Sequence, residues 1–230
     1  MLVLDAGNAL IADQEPAKKT EGQSSVQVLN MLSYQVVTLG LRDLNISVSA
    51  LEQRMQEANF TFVSANVVVS ATGELLAEPY VIQEIDGHRV AIIGITNQGR
   101  RQEVRVENPL ETAQKIVPEV AAQADIVIIL TQVGFERAQE IANQVPNIDL
   151  IIDGGSKGQV GLWYSKTKVP IICADKSSQG HAGRNVGLAH LAFDAGGRLE
   201  NITWESTALT VENAPDDPDV LKWSQSQPRR

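Results

Sequence analysis

The sequence predicts an α/β domain with an antiparallel β section added near its C-terminal end. Short runs rich in Val, Ile and Leu alternate with segments whose apolar residues recur at helical spacing as far as about residue 152. The runs at 125–130 and 148–152 are dominated by apolar residues, as in a sheet that is covered on both faces. After residue 160 the helical spacing gives way to strands joined by Gly-rich turns.

The first elements alternate between strand and helix. In chain order we predict a strand at residues 2–5, a helix capped by Ser24 or Ser25, a strand at 36–39, a helix opened by a Ser49–Glu52 capping box, and a strand at 60–69.

A hairpin follows, because Asp86-Gly87 is a strong tight-turn signal between two apolar runs. Asn108 and Pro109 then start a helix that runs to about Gln123. The remaining predicted elements are a strand at 125–130, a helix at 135–144, and strands at 148–152, 169–174, 185–193 and 199–205. We therefore predict one domain over residues 1–208 and a C-terminal tail over residues 209–230 that wraps the surface or frays.

Composition excludes several classes of function. Of the 230 residues 43% are hydrophobic, which is enough for a real core. The net charge of −9 is unsuited to a nucleic-acid surface or a polybasic membrane contact. No apolar run approaches the roughly 20 residues of a membrane span, and no signal peptide is visible. Cys173 is the single cysteine, so no disulfide forms within the chain.

Ligands of α/β sheets usually bind beyond the carboxyl ends of the strands. Four such ends stand out by their Gly and polar residues: LVLDAGNAL (2–10), VVTLGLRDL (36–44), VIILTQVG (127–134) and IDLIIDGGSKG (148–158). These loops are the predicted functional edge of the domain.

The order and spacing of these segments resemble the calcineurin-like metallophosphoesterases, in their 5'-nucleotidase branch, which typically carry LLDAGD, TLGNHEFD, ILLSHLG and DLIIGGHSH. Flanking segments such as PYVIQEIDGHRVAIIGIT are similar as well, and the likeness covers roughly residues 2–205. The resemblance implies an αββα sandwich of two mixed β-sheets flanked by helices. It implies phosphate-ester hydrolysis at two divalent metal ions such as Mn, Zn or Fe, in a protein that is exported or periplasmic. The family's first motif, Asp-x-His, would lie upstream of Met1, so the N-terminal strand is expected to be absent or truncated.

The sequence departs from the family pattern where that pattern supplies metal ligands. The aligned positions hold Asn8, Leu41, Arg42, Asp43, Gln132, Gly155 and Lys157. Leu41 and Gly155 offer no side-chain donor atom, and Asn8 replaces an anion by a neutral amide. Two further positions carry fixed cations, which repel metal ions. No catalytic residue and no metal ligand is therefore assigned.

These departures predict a non-catalytic domain with a structural or binding role and without a cofactor of its own. The alternatives are a metal-dependent nucleotide phosphohydrolase with an altered site, or a module that binds a small anion or a nucleotide. Three alternative roles are open for Arg42 and Lys157. They are solvated surface charges, counter-ions for Asp5, Asp43 or Asp153, or ligands of a bound anion. Asn8 is predicted to adopt a left-handed turn conformation. A protein partner or a larger assembly is compatible with the acidic charge, and no nucleic-acid partner is expected.

Overall fold

A four-layer α/β/β/α sandwich organises the chain in a computed structural model that describes residues 1–11, 15–155, 159–174, 185–210 and 212–227. Its strands are β1 (Leu4–Asp5), β2 (Val36–Thr38), β3 (Thr61–Val63), β4 (Val67–Val69), β5 (Tyr80–Ile85), β6 (His88–Ile95), β7 (Gly99–Arg100), β8 (Val104–Val106), β9 (Ile126–Thr131), β10 (Leu150–Asp153), β11 (Gly161–Tyr164), β12 (Pro170–Cys173), β13 (Asn185–Phe193) and β14 (Leu199–Ala208). Its helices are α1 (Gln23–Met31), α2 (Val48–Glu57), α3 (Pro109–Ala121), α4 (Phe135–Gln144) and α5 (Pro218–Ser226), with a 3₁₀ turn at Asp43–Asn45.

Two sheets form the centre of the sandwich. The first is parallel, in the order β1-β2-β3, and the second has the order β11-β12-β10-β9-β6-β5. In the second sheet β12, β10, β9 and β6 are parallel, and the outer strands β11 and β5 pair antiparallel with their neighbours. Two antiparallel ribbons, β4-β8-β7 and β13-β14, complete the β structure of the described residues. This arrangement confirms the predicted α/β class and its sandwich of two sheets.

Strand alternation builds the three apolar layers between these elements. Val36 of β2 faces the second sheet, and its neighbour Val37 faces the layer that holds α1 and α2. On β9, Ile128 likewise faces the first sheet, whereas Ile129 packs in the layer of α3 and α4. Because both faces of these strands are buried, their sequences are continuously apolar rather than alternating.

The strongest local signals predicted their elements well. The β5-β6 hairpin turns at Asp86-Gly87, where φ is 50° and 84°, the left-handed geometry of a type I′ turn. The Asn108 Oδ1 accepts hydrogen bonds from the N–H groups of Leu110 and Glu111 and so caps α3. Both features depend on residues adjacent in sequence.

The predicted strand at residues 60–69 is wrong, because the chain bends between β3 and β4 and sends them to different sheets. Asn66, fully buried at the bend, causes the break. Its Nδ2 donates to the carbonyl oxygens of Thr96 at 2.8 Å and Glu107 at 3.0 Å, and its Oδ1 accepts from the Thr96 N–H at 2.8 Å. These bonds satisfy backbone groups that a continuous strand would have paired otherwise.

Other differences are local. Ser47, rather than Ser49, caps α2 and accepts from the Ala50 N–H. Part of the predicted tail is helical, because Asp217 caps α5 and Pro218 occupies its first turn. The Trp223 indole N–H donates to Gln27 Oε1 at 2.9 Å, which ties α5 to α1. Strands β7, β8 and β11 were not predicted. No helix in the described part of the chain is both long and apolar enough for a bilayer crossing.

We expect Asn66→Ala to lower the free energy of unfolding by about 3 kcal/mol, because it removes the partner of two buried backbone groups of Thr96 and of the partly buried Glu107 carbonyl oxygen. Urea denaturation checks this value. Asn201→Ala is the matched control, since Asn201 is exposed on β14 and should change stability by less than about 0.5 kcal/mol. Equal losses in the two variants would contradict a special role for the bend.

Candidate functional site

The loops that follow β1, β2, β9 and β10 meet at one edge of the sandwich and touch one another. A Cβ atom added to Gly7 would lie 3.2 Å from both the Gln132 Cβ and the Gly40 Cα, and one added to Gly154 would lie 2.7 Å from the Ala6 carbonyl oxygen. The predicted convergence of these strand ends is therefore present. The loops are packed backbone against backbone, which leaves little room between them.

Asp43 is the centre of this edge. Its side chain is fully buried, and both carboxylate oxygens accept hydrogen bonds from backbone N–H groups. Oδ2 accepts from Gly40 at 2.8 Å and Asn8 at 2.9 Å, and Oδ1 accepts from Leu10 at 2.9 Å and Ile11 at 3.4 Å. Burial raises the pKa of the Asp43 carboxyl group, and these four N–H groups act in the opposite direction. The carboxylate thus joins the loop after β1 to the loop after β2.

Asn8 adopts the left-handed backbone that the sequence predicted, with φ at 66°. Its Oδ1 accepts from the Arg42 backbone N–H at 2.9 Å, so the amide oxygen is also committed to the contact between the two loops. The side chain of Arg42 is exposed and forms no ion pair within the described residues. Arg42 is therefore not the counter-ion of Asp43, which corrects one of the expectations for this residue.

Leu41 and Gln132 have different surroundings. Leu41 packs on the apolar layer next to α1 and α2, and its Cδ2 would be 2.6 Å from a Cβ atom on Gly99 of β7. The Gln132 Oε1 is enclosed and has no hydrogen-bond partner in the described structure. One neutral amide oxygen supplies a single ligand, whereas a divalent cation in a protein needs four or more.

Gly155 has no space for a side chain. A Cβ atom there would lie 2.6 Å from the Gly134 backbone nitrogen and 2.7 Å from the Gln132 carbonyl oxygen, closer than real Cβ contacts allow. Neighbouring Asp153 is 1% exposed and accepts from the Gly134 N–H at 3.1 Å. Lys157, the second predicted cation, lies outside the described residues.

Asp5, at the end of β1, is a second carboxyl group in a perturbed environment. Its Oδ1 accepts from the Gly7 N–H at 2.8 Å. Burial, with a further contribution from the nearby Asp43 charge, raises the pKa of Asp5 to about 7. Sequence reasoning named Asp5 only as a partner for a cation, and the signal for its desolvation was its place at the end of an apolar strand.

The residues at these positions do not fit a two-metal centre. Such a centre needs several carboxylate or imidazole ligands with free lone pairs. Here the lone pairs of Asp43 and Asn8 serve backbone N–H groups, Leu41 has no donor atom, and Gly155 has no side chain. In the described ranges, no group of three or more His, Cys, Asp or Glu side chains is arranged to hold a metal ion.

Comparisons with known proteins agree with the fold. No protein-family model matches the chain. It is 24% identical, over 95% of its length, to the trifunctional nucleotide phosphoesterase protein YfkN of Bacillus subtilis, and covers 18% of that protein. It is 32% identical, over 64% of its length, to a 2',3'-cyclic-nucleotide 2'-phosphodiesterase/3'-nucleotidase of Haemophilus influenzae, and covers 27% of it. The chain therefore spans less than a third of either relative.

A solved structure shares the architecture as well. The 5'-nucleotidase precursor of Thermus thermophilus superposes with a TM-score of 0.84 and 25% identity, over 97% of this chain and 49% of that one. The order of the strands and the position of the strand-end loops thus belong to a shared fold. The chain is accordingly a homologue of the 5'-nucleotidases and calcineurin-like phosphoesterases and has their fold.

Proposed function

We propose that this 5'-nucleotidase-like domain is non-catalytic by itself and has a structural or binding role. The observation that carries the proposal is the hydrogen bonding of Asp43. Its two oxygens bind four backbone N–H groups, and a carboxylate engaged in this way has no lone pair aimed at a metal ion. Asp43, which lies at a metal-ligand position of the family pattern, therefore acts as a brace between two loops.

The neighbouring positions support the same role. Leu41 contributes apolar packing beneath the β7-β8 ribbon, and Gly155 lies directly against the loop after β9. Each of these residues improves the packing between loops and none adds a charge that could hold a phosphate or a metal ion. The packed edge stabilises the domain as a scaffold on which exposed groups such as Arg42 are presented.

The second candidate is a metal-dependent nucleotide phosphohydrolase with an altered site, and the relatives favour it. Their names describe nucleotide phosphoesterases and nucleotidases, and on relatedness alone this candidate has more support than a non-catalytic one. Asp5 and Asp153 would be the carboxylates at the strand ends nearest to such a site. Because the chain spans a small part of these relatives, ligands could also come from outside the described residues.

Metal analysis separates the two candidates. We expect the purified chain, incubated with Mn, Zn or Fe salts and desalted, to retain no stoichiometric metal. We also expect it to leave nucleoside monophosphates and p-nitrophenyl phosphate intact, because the aligned donors do not form a site. Asp5→Asn and Asp153→Asn variants serve as controls for trace phosphatase. Hydrolysis that chelation abolishes, and that both variants lose, would establish the phosphohydrolase instead.

Asp43→Asn tests the loop brace directly. Asparagine has one acceptor oxygen, and its amide N–H₂ would face backbone N–H donors, so we expect a loss of about 3 kcal/mol in the free energy of unfolding. Urea denaturation measures the loss. Asp86→Asn, at the exposed hairpin turn, is the matched control and should be within about 0.5 kcal/mol of the parent chain. A wild-type unfolding midpoint for Asp43→Asn would refute the brace.

The raised pKa of Asp5 predicts a pH dependence of stability. Between about pH 4 and about 7 the folded chain binds a proton at Asp5 that the unfolded chain has released, so this group's contribution to stability falls as the pH rises. Asp5→Asn removes that dependence. We expect the free energy of unfolding of the variant to rise relative to that of the parent chain between about pH 4 and about pH 8, by up to about 4 kcal/mol from the linkage relation. Partial access to solvent makes the gain smaller.

Denaturant unfolding at several pH values checks this expectation, again with Asp86→Asn as the control. A divalent cation beside Asp5 would lower the pKa of the carboxyl group and reverse the slope. Repeating the series after incubation with Mn salt therefore gives a readout of metal binding that is independent of activity. An Asp5→Asn variant that loses stability relative to the parent as the pH rises would contradict the desolvated carboxyl group.

A further inference from the structure

A group of arginines lies beside the strand-end loops of this acidic chain. Three of them, Arg100, Arg101 and Arg105, are on or next to the short β7-β8 ribbon, and the fourth, Arg42, follows Leu41. We call these four residues the arginine patch. The chain as a whole has a net charge of −9, so a local cluster of positive charges contrasts with the negative charge of the whole molecule.

The register of the ribbon places two of these charges directly opposite each other. Arg100 pairs with Arg105, and the preceding pair is Gly99 with Val106. Val104 and Val106 are buried, whereas Arg100 and Arg105 are exposed on the other face of the ribbon. Like charges at directly opposite positions destabilise an antiparallel pair, so this ribbon carries an electrostatic cost in the free protein.

Two contacts hold the ribbon against the loop after β2. The Leu41 side chain packs beneath Gly99, and the Arg101 Nε donates to Asn45 Oδ1 at 2.8 Å. Arg42 lies between these two contact points in the chain, and its side chain is exposed. The contacts therefore place the backbone of a fourth arginine next to the ribbon.

Nearby acids neutralise the patch only in part. The Arg105 guanidinium lies 3.6 Å from Glu107, and both side chains are about half exposed, at 46% and 50%. The Glu103 Oε2 accepts from the Val48 N–H at the start of α2, at 2.6 Å. In the described part of the chain, Arg42, Arg100 and Arg101 form no ion pair. The patch keeps an excess of positive charge.

We propose that the arginine patch binds a small anion that carries two or more phosphate groups. All four cations are arginines, whose planar guanidinium groups bind phosphate oxygens in a bidentate manner. A multivalent anion would neutralise Arg100 and Arg105 together and remove their repulsion, which an anion of single charge does only partly. The proposal goes beyond the non-catalytic role, because it requires neither a metal ion nor hydrolysis.

Isothermal titration of the whole chain with inorganic triphosphate tests the proposal. We expect measurable binding that weakens as salt is added, and a loss of at least about tenfold in affinity in the double variant Arg100→Gln/Arg105→Gln. Arg137→Gln/Arg198→Gln is the matched control. It removes the same charge and also breaks one exposed ion pair, that of Arg137 with Glu140, and it should bind like the parent chain. Equal weakening in both double variants, or no heat with the parent chain, would overturn the site.

Citrate distinguishes phosphate recognition from general attraction of anions. At matched ionic strength we expect citrate to bind at least about tenfold more weakly than triphosphate. Equal affinities would overturn the assignment to phosphate groups.

Thermal unfolding gives a second readout. Without ligand, the patch variant should melt at the same temperature as the parent chain or higher, because it lacks the opposed charges. Triphosphate should raise the melting temperature of the parent chain and of the control but not of the patch variant. A patch variant that melts lower without ligand, while still responding to triphosphate, would show that the arginines serve the fold instead.

Discussion

One buried carboxylate determines the geometry of the strand-end edge. Asp43 binds the N–H groups of residues that lie up to 35 positions away in the sequence, so the loops after β1 and β2 share a single anchor. Hydrogen bonds to a charged acceptor are among the stronger polar interactions, and a buried charge is tolerated only when it is paired in this way. The close packing of Asn8, Gly40 and Arg42 backbone atoms depends on this anchor.

The sandwich behind the edge makes that anchor effective. The Thr96 hydroxyl at the end of the second sheet donates to the Leu39 carbonyl oxygen after β2, at 2.6 Å, and so links the two sheets at their carboxyl ends. The shared apolar layer between the sheets holds the strands in place. The residues from which the loops start are consequently fixed in position by the strands. The side chains of the loops then determine whether backbone fills the space between them or a ligand can enter it.

Sequence patterns predicted the elements that depend on near neighbours. The Asp86-Gly87 turn, the Asn108 cap and the left-handed Asn8 are of this kind, as are the apolar strands β9 and β10. The bend between β3 and β4 was not predictable in the same way, because Asn66 makes it through contacts with Thr96 and Glu107, about 30 to 41 residues away. The bracing role of Asp43 has the same cause, since no local pattern shows where its N–H donors lie.

The location of the candidate site was easier to predict from the sequence than the chemistry of its side chains. The convergence of four loops followed from strand order, whereas the exposure of Arg42 followed from the way Leu41 turns inward under Gly99. The sequence analysis did not predict the β7-β8 ribbon of the arginine patch, because strands of two and three residues are too short for a periodic signal. Cross-strand register, which juxtaposes Arg100 and Arg105, exists only in three dimensions.

The lack of space at Gly155 limits which substitutions this edge of the sandwich could accept during evolution. Any larger residue there would first have to displace the main chain at Gln132 and Gly134, and that displacement would reach α4, whose first turn begins at Phe135. An imidazole could therefore not be gained at this point without a shift of the backbone. The route toward a metal-binding edge would have to pass through a less stable intermediate sequence, which makes the present arrangement self-preserving.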